Sequence, residues 1–183
     1  MVRKLHIGVM GSAADLKYNE ETQKVAEKVG ELIAKSGNIT VYGAEKDYDS
    51  LSTAATKGAK KAGGLTVGVT YSKGKDIYDK ENIDVLIVSG LERGGGREFV
   101  LINSCDAIIT ISGGSGTLTE TAIAYQLDIP MIAIKGYGGW SDKLADTFID
   151  ARNRRKVILA TTAEEAVKIA LEEAKNYRLK YKY

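Results

Sequence analysis

Seven short apolar runs, rich in β-branched residues, recur along the chain and constrain its fold more than any other feature. Continuous apolar runs of this kind are typical of strands that are buried on both faces, as parallel sheets require. We therefore predict about seven strands in a mainly parallel sheet. The runs cover residues 5–10, 39–42, 65–70, 85–88, 107–111, 131–134 and 157–159.

Helical patterns lie between most of these runs. The clearest covers residues 20–36, where apolar side chains recur at helical spacing and Asn19 precedes the first turn as an N-cap. A second pattern covers residues 50–62. The last begins with Thr161 and Glu164, which have the spacing of a capping box.

Strands and helices alternate to the end of the chain, and 183 residues suffice for one complete core. The alternation predicts a single-domain α/β fold, in which a doubly wound, Rossmann-like sheet carries helices on both faces. We expect this domain to cover residues 1–176, with a ligand cleft at the carboxyl ends of the strands. Residues 177–183 are expected to form a basic, tyrosine-rich tail, either a frayed helix end or a subunit contact.

Charge and cysteine content exclude several function classes. The 26 lysines and arginines exceed the 24 acidic residues by only two, too few to bind nucleic acid or an acidic membrane by charge. With Cys105 and His6 as the only residues of their types, no zinc-type cluster exists and no metal site is predicted. Neither a signal peptide nor a membrane span of about 20 apolar residues is evident. These features favour a cytoplasmic protein.

A glycine-rich turn at residues 112–117 joins a buried strand to a helix that carries Glu120. In this geometry backbone N–H groups and the positive end of the helix dipole converge on one spot outside the sheet, where a phosphate fits. Either the turn binds a small phosphorylated ligand such as a nucleotide, or it is a tight turn without a ligand. The candidate phosphate-binding residues are Gly113, Gly114, Ser115, Gly116 and Thr117.

The glycine-rich segments do not match the common nucleotide-binding motifs. Thr119 occupies the position of the third glycine in the dinucleotide motif, and no Walker A sequence occurs. A nicotinamide cofactor is therefore disfavoured, and no resident cofactor is predicted. Gly11 and Ser12 follow the first strand, and they form either a second wall of the ligand cleft or a plain turn.

Two charged residues are candidates for catalysis. Glu120 lies about one turn into the helix after the glycine-rich turn, so its carboxylate is able to reach toward a bound ligand. Alternatively, it is an acidic residue favoured there by the helix dipole alone. Arg97 follows a second glycine cluster, Gly94 to Gly96, and its guanidinium is suited to hold a phosphate or carboxylate. The alternative is an ion pair of Arg97 with Glu92 or Glu120.

A family resemblance rests on Arg97, on Asp106 nine positions later, and on the motif GG-x-GT-x-x-E at residues 113–120. Together they resemble the signature of the LOG-like proteins, which are often misnamed lysine decarboxylases. Characterised enzymes of that family hydrolyse the N-glycosidic bond of nucleoside 5′-monophosphates, and a related branch comprises molybdenum-cofactor carrier proteins. The resemblance covers most of the chain and implies a Rossmann-like fold in a homodimer or higher homo-oligomer.

The enzymatic side of this resemblance implies a role for each candidate residue. The backbone of residues 113–117 would hold the 5′-phosphate, and Glu120 would stabilise positive charge on the ribose while it orients water. Arg97 would either position the ligand or assist the leaving base. The implied reaction releases the free base and ribose 5-phosphate.

Three departures from the hydrolase signature surround the predicted cleft and point toward the branch that includes the carriers. Ser112 replaces a proline, Glu98 replaces a lysine, and residues 41–46 lack the glycine-rich turn usual after the second strand. Two functions therefore follow from the sequence: a phosphoribohydrolase, or a non-catalytic binding or carrier protein for a nucleotide or molybdenum cofactor. A third reading is a scaffold whose glycine turns are only structural.

Overall fold

The structure is a computed structural model that describes residues 3–181. Within that range seven strands form one sheet, and every neighbouring pair is parallel. The predicted single-domain, Rossmann-like α/β fold is confirmed, and no strand end differs from prediction by more than one residue. The strands are β1 (His6–Gly11), β2 (Ile39–Gly43), β3 (Leu65–Thr70), β4 (Val85–Val88), β5 (Ala107–Ile111), β6 (Met131–Ile134) and β7 (Ile158–Ala160).

Helices fill most connections between the strands, as the alternating pattern predicts. In the described part of the chain they are α1 (Glu20–Lys35), α2 (Leu51–Lys61), α3 (Gly96–Asn103), α4 (Ser115–Gln126), α5 (Gly139–Leu144) and α6 (Ala163–Tyr181). Asn19 caps α1 as predicted, because its side-chain oxygen accepts a hydrogen bond from the Thr22 N–H at 2.8 Å. Across residues 3–181, no helix is both long and apolar enough to cross a membrane.

The cap of α6 lies one residue later than the predicted capping box. The Thr162 hydroxyl, not that of Thr161, accepts a hydrogen bond from the Glu165 N–H at 3.1 Å. The Glu165 carboxylate in turn accepts the Thr161 N–H at 2.8 Å. Glu164 was therefore the wrong acidic partner, because the helix begins at Ala163 and Glu165 is the glutamate that faces back over its first turn.

The strand order places a ligand-binding position in the middle of the sheet. Across the sheet the order is β4-β3-β2-β1-β5-β6-β7, so the chain runs outward from β1 to β4 and then returns to β5 on the other side of β1. The connections after β1 and β5 diverge to opposite halves of the sheet. Such a switch point leaves a crevice at the carboxyl ends of the two strands, where open α/β sheets bind ligands.

β5 shows why the predicted strands are continuously apolar. Ile109 and Ile111 belong to the buried cluster formed with α1, α2 and α6 on one face of the sheet. Ile108, which points the opposite way, belongs to the cluster formed with α3 and α4. Because both faces are covered, every residue of β5 is buried. A strand with one solvent-exposed face would show polar residues at alternate positions.

β4 differs from the expectation that every strand is buried on both faces. It is an edge strand, with Val85 51% and Ile87 36% exposed. The connection from β3, residues 71–84, contains no helix in the described chain, so no crossover helix covers this end of the sheet. Apolar composition alone did not distinguish an edge strand from a central one.

The segment that we expected to form a separate tail instead continues α6 as far as Tyr181; Lys182 and Tyr183 lie outside the described residues. Arg178 is only 9% exposed and forms a buried ion pair with Asp106, donating from Nε at 2.8 Å and from Nη2. Its guanidinium also donates to the carbonyl oxygens of Arg3 and Lys4. The last turns of α6 are therefore part of the domain, because a buried charge at Asp106 requires a buried partner.

Replacing Arg178 with methionine is expected to lower the free energy of unfolding by about 3 kcal/mol, because the Asp106 carboxylate then loses its buried cationic partner. Urea denaturation measures the change. Lys180→Met is the matched control: Lys180 pairs with Asp128 at the surface, so its loss should cost less than about 1 kcal/mol. Equal effects of the two substitutions would contradict a structural role for the end of α6.

Candidate functional site

A cleft of about 370 Å³ opens at the carboxyl ends of β1, β2 and β5. Four segments line it: residues 11–16 after β1, residues 45–48 after β2, residues 93–98 at the start of α3, and residues 114–120 at the start of α4. The glycine-rich starts of α3 and α4 therefore border one cleft, although β4 and β5, the strands that precede them, are separated by three other strands. The volume of the cleft falls in the range of small-ligand sites.

Ser12 lies beneath the glycine-rich turn and holds it against β1. Its Oγ accepts a hydrogen bond from the Gly113 N–H at 2.9 Å and donates one to the Ser112 Oγ at 3.1 Å. Because Ser12 is 3% exposed and its hydroxyl is already used, it supports the turn from below instead of forming a wall of the cleft. The Gly113 N–H is used in the same bond, so it is not free to donate to a phosphate, in contrast to the prediction from sequence.

Backbone hydrogen bonds from the start of α5 hold the glycine-rich turn from the other side. Trp140 and Ser141 donate their N–H groups to the carbonyl oxygens of Gly113 and Ser112, both at 2.9 Å. Ser112 and Gly113 have positive φ values of 55° and 95°. A Cβ at Gly113 would lie 2.4 Å from the Thr117 hydroxyl, so glycine is required at this position for space as well as for conformation.

The first turn of α4 is uncapped and opens into the cleft. Gly114 is its N-cap and offers no side chain to accept the first free N–H groups of the helix. Ser115, Gly116 and Thr117 occupy the first three positions of the helix and line the cleft. A Cβ at Gly116 would meet no atom within 4 Å, so this backbone is open to a ligand. Free N–H groups and the helix dipole together favour a phosphate there.

Gly11 lines the cleft beside this turn, as expected for one of its walls. A Cβ at Gly11 would come within 2.8 Å of both the Ile111 carbonyl oxygen and the Leu51 Cβ. Glycine at this position therefore allows β1, β5 and the start of α2 to pack closely. Its backbone, not a side chain, contributes to the cleft surface.

Arg97 is buried at the bottom of the cleft and is already paired. Its Nη2 donates to the Glu45 Oε1 at 2.9 Å, and its Nε donates to the Glu98 Oε1 at 3.2 Å. The partners suggested from sequence, Glu92 and Glu120, were therefore wrong for its side chain. The Nη1 atom of Arg97 lies against Gly43, and a Cβ on that residue would come within 2.0 Å of it. Nη1 has no hydrogen-bond partner in the described structure. Glycine at the end of β2 makes room for the guanidinium.

Glu45 is a site residue that the sequence analysis missed. Its two carboxylate oxygens accept from Arg97 and, at 3.0 Å, from Arg93, which also donates to the Tyr48 hydroxyl at 3.2 Å. The available signal was its position directly after β2, a strand next to β1 in the sheet. Proximity of that loop to α3 depends on the strand order, which the sequence analysis did not predict.

Glu120 lines the cleft with its carboxyl group unpaired. The residue is 8% exposed, and none of the described residues forms a hydrogen bond with its side chain. Burial raises the pKa of Glu120 from its ordinary 4.5 to about 8, the nearby Arg97 lowers it, and Glu98 and Glu45 raise it further. The guanidinium does not offset burial, because it is committed to the other two carboxylates. At neutral pH the Glu120 carboxyl is therefore mainly protonated.

No group of three or more histidine, cysteine, aspartate or glutamate side chains within residues 3–181 is arranged to hold a metal ion. Two of the cleft's carboxylates, those of Glu45 and Glu98, instead accept hydrogen bonds from the guanidinium of Arg97.

Comparison with known proteins identifies the family. A profile of the SLOG cluster4 family matches residues 4–167. The chain belongs to the SLOG cluster4 family. An uncharacterized protein from Archaeoglobus fulgidus is 36% identical to it over 123 residues, which make up 67% of this chain and 75% of that protein.

Solved structures show the same fold over nearly the whole length of this SLOG cluster4 protein. The molybdenum cofactor binding protein from Rippkaea orientalis is 29% identical with a TM-score of 0.78, and the match covers 94% of this chain and 98% of that one. The molybdenum cofactor carrier protein from Chlamydomonas reinhardtii is 28% identical with a TM-score of 0.77, covering 94% and 99%. The resemblance to the LOG-like proteins near the carrier branch is thereby confirmed.

The protonated Glu120 of this SLOG cluster4 protein leads to a pH-dependent prediction. The unfolded chain loses this proton near pH 4.5, whereas the folded chain keeps it until about pH 8, so stability should fall as the pH rises between these values. Glu120→Gln has no proton to lose. Its melting temperature should therefore exceed that of the wild type by an amount that grows by several degrees from about pH 5 to about pH 8.

Thermal unfolding followed by circular dichroism measures this difference. Glu172→Gln, which changes an exposed glutamate of α6, is the control and should follow the wild-type profile. If Glu120→Gln also follows the wild-type profile, the buried carboxyl is ionised and the assigned charge state is wrong.

Proposed function

We propose that this protein binds a small phosphorylated ligand of the nucleotide or pterin type, without cleaving it, and holds the phosphate at the start of α4. The observation that carries the proposal is the uncapped first turn of α4, which opens into the cleft at residues 114–117. Two solved neighbours that are described as binding or carrying molybdenum cofactor support it.

The phosphate belongs at α4 because the cationic side chains of the cleft are already neutralised. Arg97 donates to Glu45 and Glu98, and Arg93 donates to Glu45. A phosphate that approached either arginine would have to compete with the carboxylate to which that arginine already donates. The free N–H groups of α4 have no such competitor in the described structure, and their partial positive charge suits a phosphate dianion.

The rest of the cleft suits the organic part of such a ligand. Tyr48 lines it near the end of residues 45–48, and its hydroxyl is held by Arg93 at 3.2 Å. A fixed aromatic ring is able to pack against a flat base or pterin. Molybdenum cofactor would be cargo in this reading, recognised through its phosphate and ring by residues of this chain.

Gly116→Asp is expected to weaken binding of the phosphorylated ligand at least tenfold, because the new carboxylate would project into the space where the phosphate lies. Gly116→Asn is the matched control: it has the same shape without the charge and should bind more tightly than the aspartate variant. Neither side chain meets an obstacle at its Cβ, and aspartate is favourable in a first helical turn, so both variants should fold.

Thermal shift and native mass spectrometry with AMP, GMP and inorganic phosphate measure these affinities. A loss of stabilisation confined to Gly116→Asp is the expected result. If the wild type and both variants respond equally to every compound, the proposed phosphate site is wrong.

Phosphoribohydrolase activity is the second candidate, and one observation favours it. Glu120 and Arg97 line the same cleft as the proposed phosphate site, as the family resemblance implies for a hydrolase. Stabilising positive charge on a ribose requires an ionised carboxylate. Glu120 is mainly protonated at neutral pH, which is why we rank binding above hydrolysis.

Incubation with nucleoside 5′-monophosphates, followed by chromatography for the free base, distinguishes the two candidates. Under the binding proposal the wild type releases no more base than Glu120→Gln does. Release that rises steeply as the pH approaches about 8, and that Glu120→Gln abolishes, would establish the hydrolase and refute the proposal.

A further inference from the structure

An apolar face of the sheet lies uncovered beside α3. Among residues 3–181, ten large hydrophobic side chains are exposed to solvent, and five of them border this one face. Single exposed hydrophobic side chains are usual on soluble proteins, whereas a contiguous set of them indicates an interaction site. The five are Leu65, Val85, Ile87, Leu91 and Phe99.

β3 and β4 form the floor of this face. In the sheet register Val69 pairs with Ile87, and Val85 lies two residues before Ile87, so the three side chains project from one face. Val69 belongs to the buried cluster that contains residues of α3 and α4, which identifies that face. Leu65 joins it through the two-residue period of β3.

The connection between β3 and β4 leaves this face open because it packs on the other one. Leu86, which points opposite to Val85 and Ile87, packs against the cluster that contains Ile77 of that connection. On the open face, a groove of about 390 Å³ lies between the strands and the end of α3, and Ile87 and Asn103 are among its lining residues. We call the exposed floor of β3 and β4, together with this groove, the recess.

α3 forms a ridge along the recess. Phe99 is 48% exposed and lies four residues before Asn103, so the two side chains share the side of the helix that borders the groove. Leu91 continues this apolar side at the start of the helix, since a Cβ at Gly96 would come within 2.9 Å of the Leu91 Cβ. The surface therefore has an apolar ridge next to an apolar recess.

Phe99 and Ile87 lie at the same height along the strands. A Cβ at Gly43 would come within 2.0 Å of Arg97 Nη1 and 3.4 Å of Leu101 Cδ2, so these two residues of α3 pass the sheet at Gly43. Gly43 and Ile87 belong to the same registered row across β2, β3 and β4. Phe99, midway between the two helix residues, is therefore level with that row.

We propose that this face binds a second copy of this chain, with the α3 of each copy seated in the recess of the other. A ridge and a recess side by side are self-complementary about a twofold axis, because each copy supplies both halves of the contact. An axis parallel to the strands preserves the height of every residue, so it places Phe99 on the partner's Ile87. The inference goes beyond the proposed function and does not depend on any ligand.

The charge and extent of the face favour a second copy as the occupant. The side chains of β3 and β4 that project into the recess are apolar, and a net charge of +2 gives two copies little mutual repulsion. The five exposed side chains and the residues that line the groove amount to about 14, compared with roughly 20–30 per partner in a standard interface. We therefore expect a dimer that dissociates at micromolar concentrations.

Sedimentation velocity tests the surface. Between about 1 and 200 µM the wild type should change from monomer to dimer. Phe99→Glu should raise the dimer Kd at least about tenfold, because it places a charge against an apolar surface. Phe148→Glu is the matched control: Phe148 is 47% exposed and bridges to Lys156 just before β7, at the other edge of the sheet, so this variant should dimerise like the wild type.

A wild type that stays monomeric over this range overturns the proposal, and so do equal effects of the two substitutions. Equal effects in a protein that does dimerise would indicate pairing elsewhere, for example between the edges of two β4 strands. Circular dichroism confirms that each variant is folded, as expected for exposed positions.

Complementary charges test the arrangement of the two copies. Phe99→Lys and Ile87→Glu should each be monomeric alone, because each homodimer would place two charges against apolar surface. Mixing them should restore association, because the heterodimer pairs the introduced lysine with the introduced glutamate in one contact and keeps Phe99 on Ile87 in the other. If the mixture stays monomeric while the wild type dimerises, α3 does not occupy the partner's recess and the proposal is wrong.

Discussion

The hydrogen bond from the Gly113 N–H to the Ser12 Oγ joins the ends of β1 and β5, and the shape of the cleft depends on it. It holds a turn with positive φ values against the first strand, while α5 holds the carbonyl oxygens of the same turn. The internal polar groups of the turn are thereby satisfied. What remains free is the first turn of α4, so the protein directs its unused N–H groups toward the cleft.

The charged side chains of Arg97, Glu45 and Glu98 in the cleft pair with one another. Arg97 lies in the space left by Gly43 and neutralises Glu45 and Glu98, so it contributes little net attraction for an anion. Because Arg97 pairs with Glu45 and Glu98, Glu120 has no cationic partner of its own. Burial raises the pKa of its carboxyl group, which therefore stays mainly protonated at neutral pH. A residue that sequence alone suggests as a catalytic arginine therefore shapes the site by holding two neighbouring carboxylates in place.

The contacts at the amino ends of the strands, opposite the cleft, stabilise the fold. Asp106 directly precedes β5 and accepts hydrogen bonds from Arg178, from Arg3 and, at 2.7 Å, from the His6 N–H. These contacts tie both ends of the described chain to the central strands. A motif residue of the family resemblance thus lies far from the cleft, at the amino end of the strand whose carboxyl end carries the glycine-rich turn. The spacing of a motif does not by itself distinguish a binding role from a structural one.

The sequence by itself determined the strands, the main helices, the fold class and the glycine-rich turn. Each of these depends on interactions between neighbours in the chain, such as the continuous burial of residues 107–111 or the Asn19 cap. Only the tertiary structure decided that β4 is an edge strand and that residues 177–181 complete α6. It also decided that Glu45, not Glu120, pairs with Arg97, because strand order brings together loops 52 positions apart. The charge state of Glu120 follows from that pairing and from burial, and neither is visible in the order of residues along the chain.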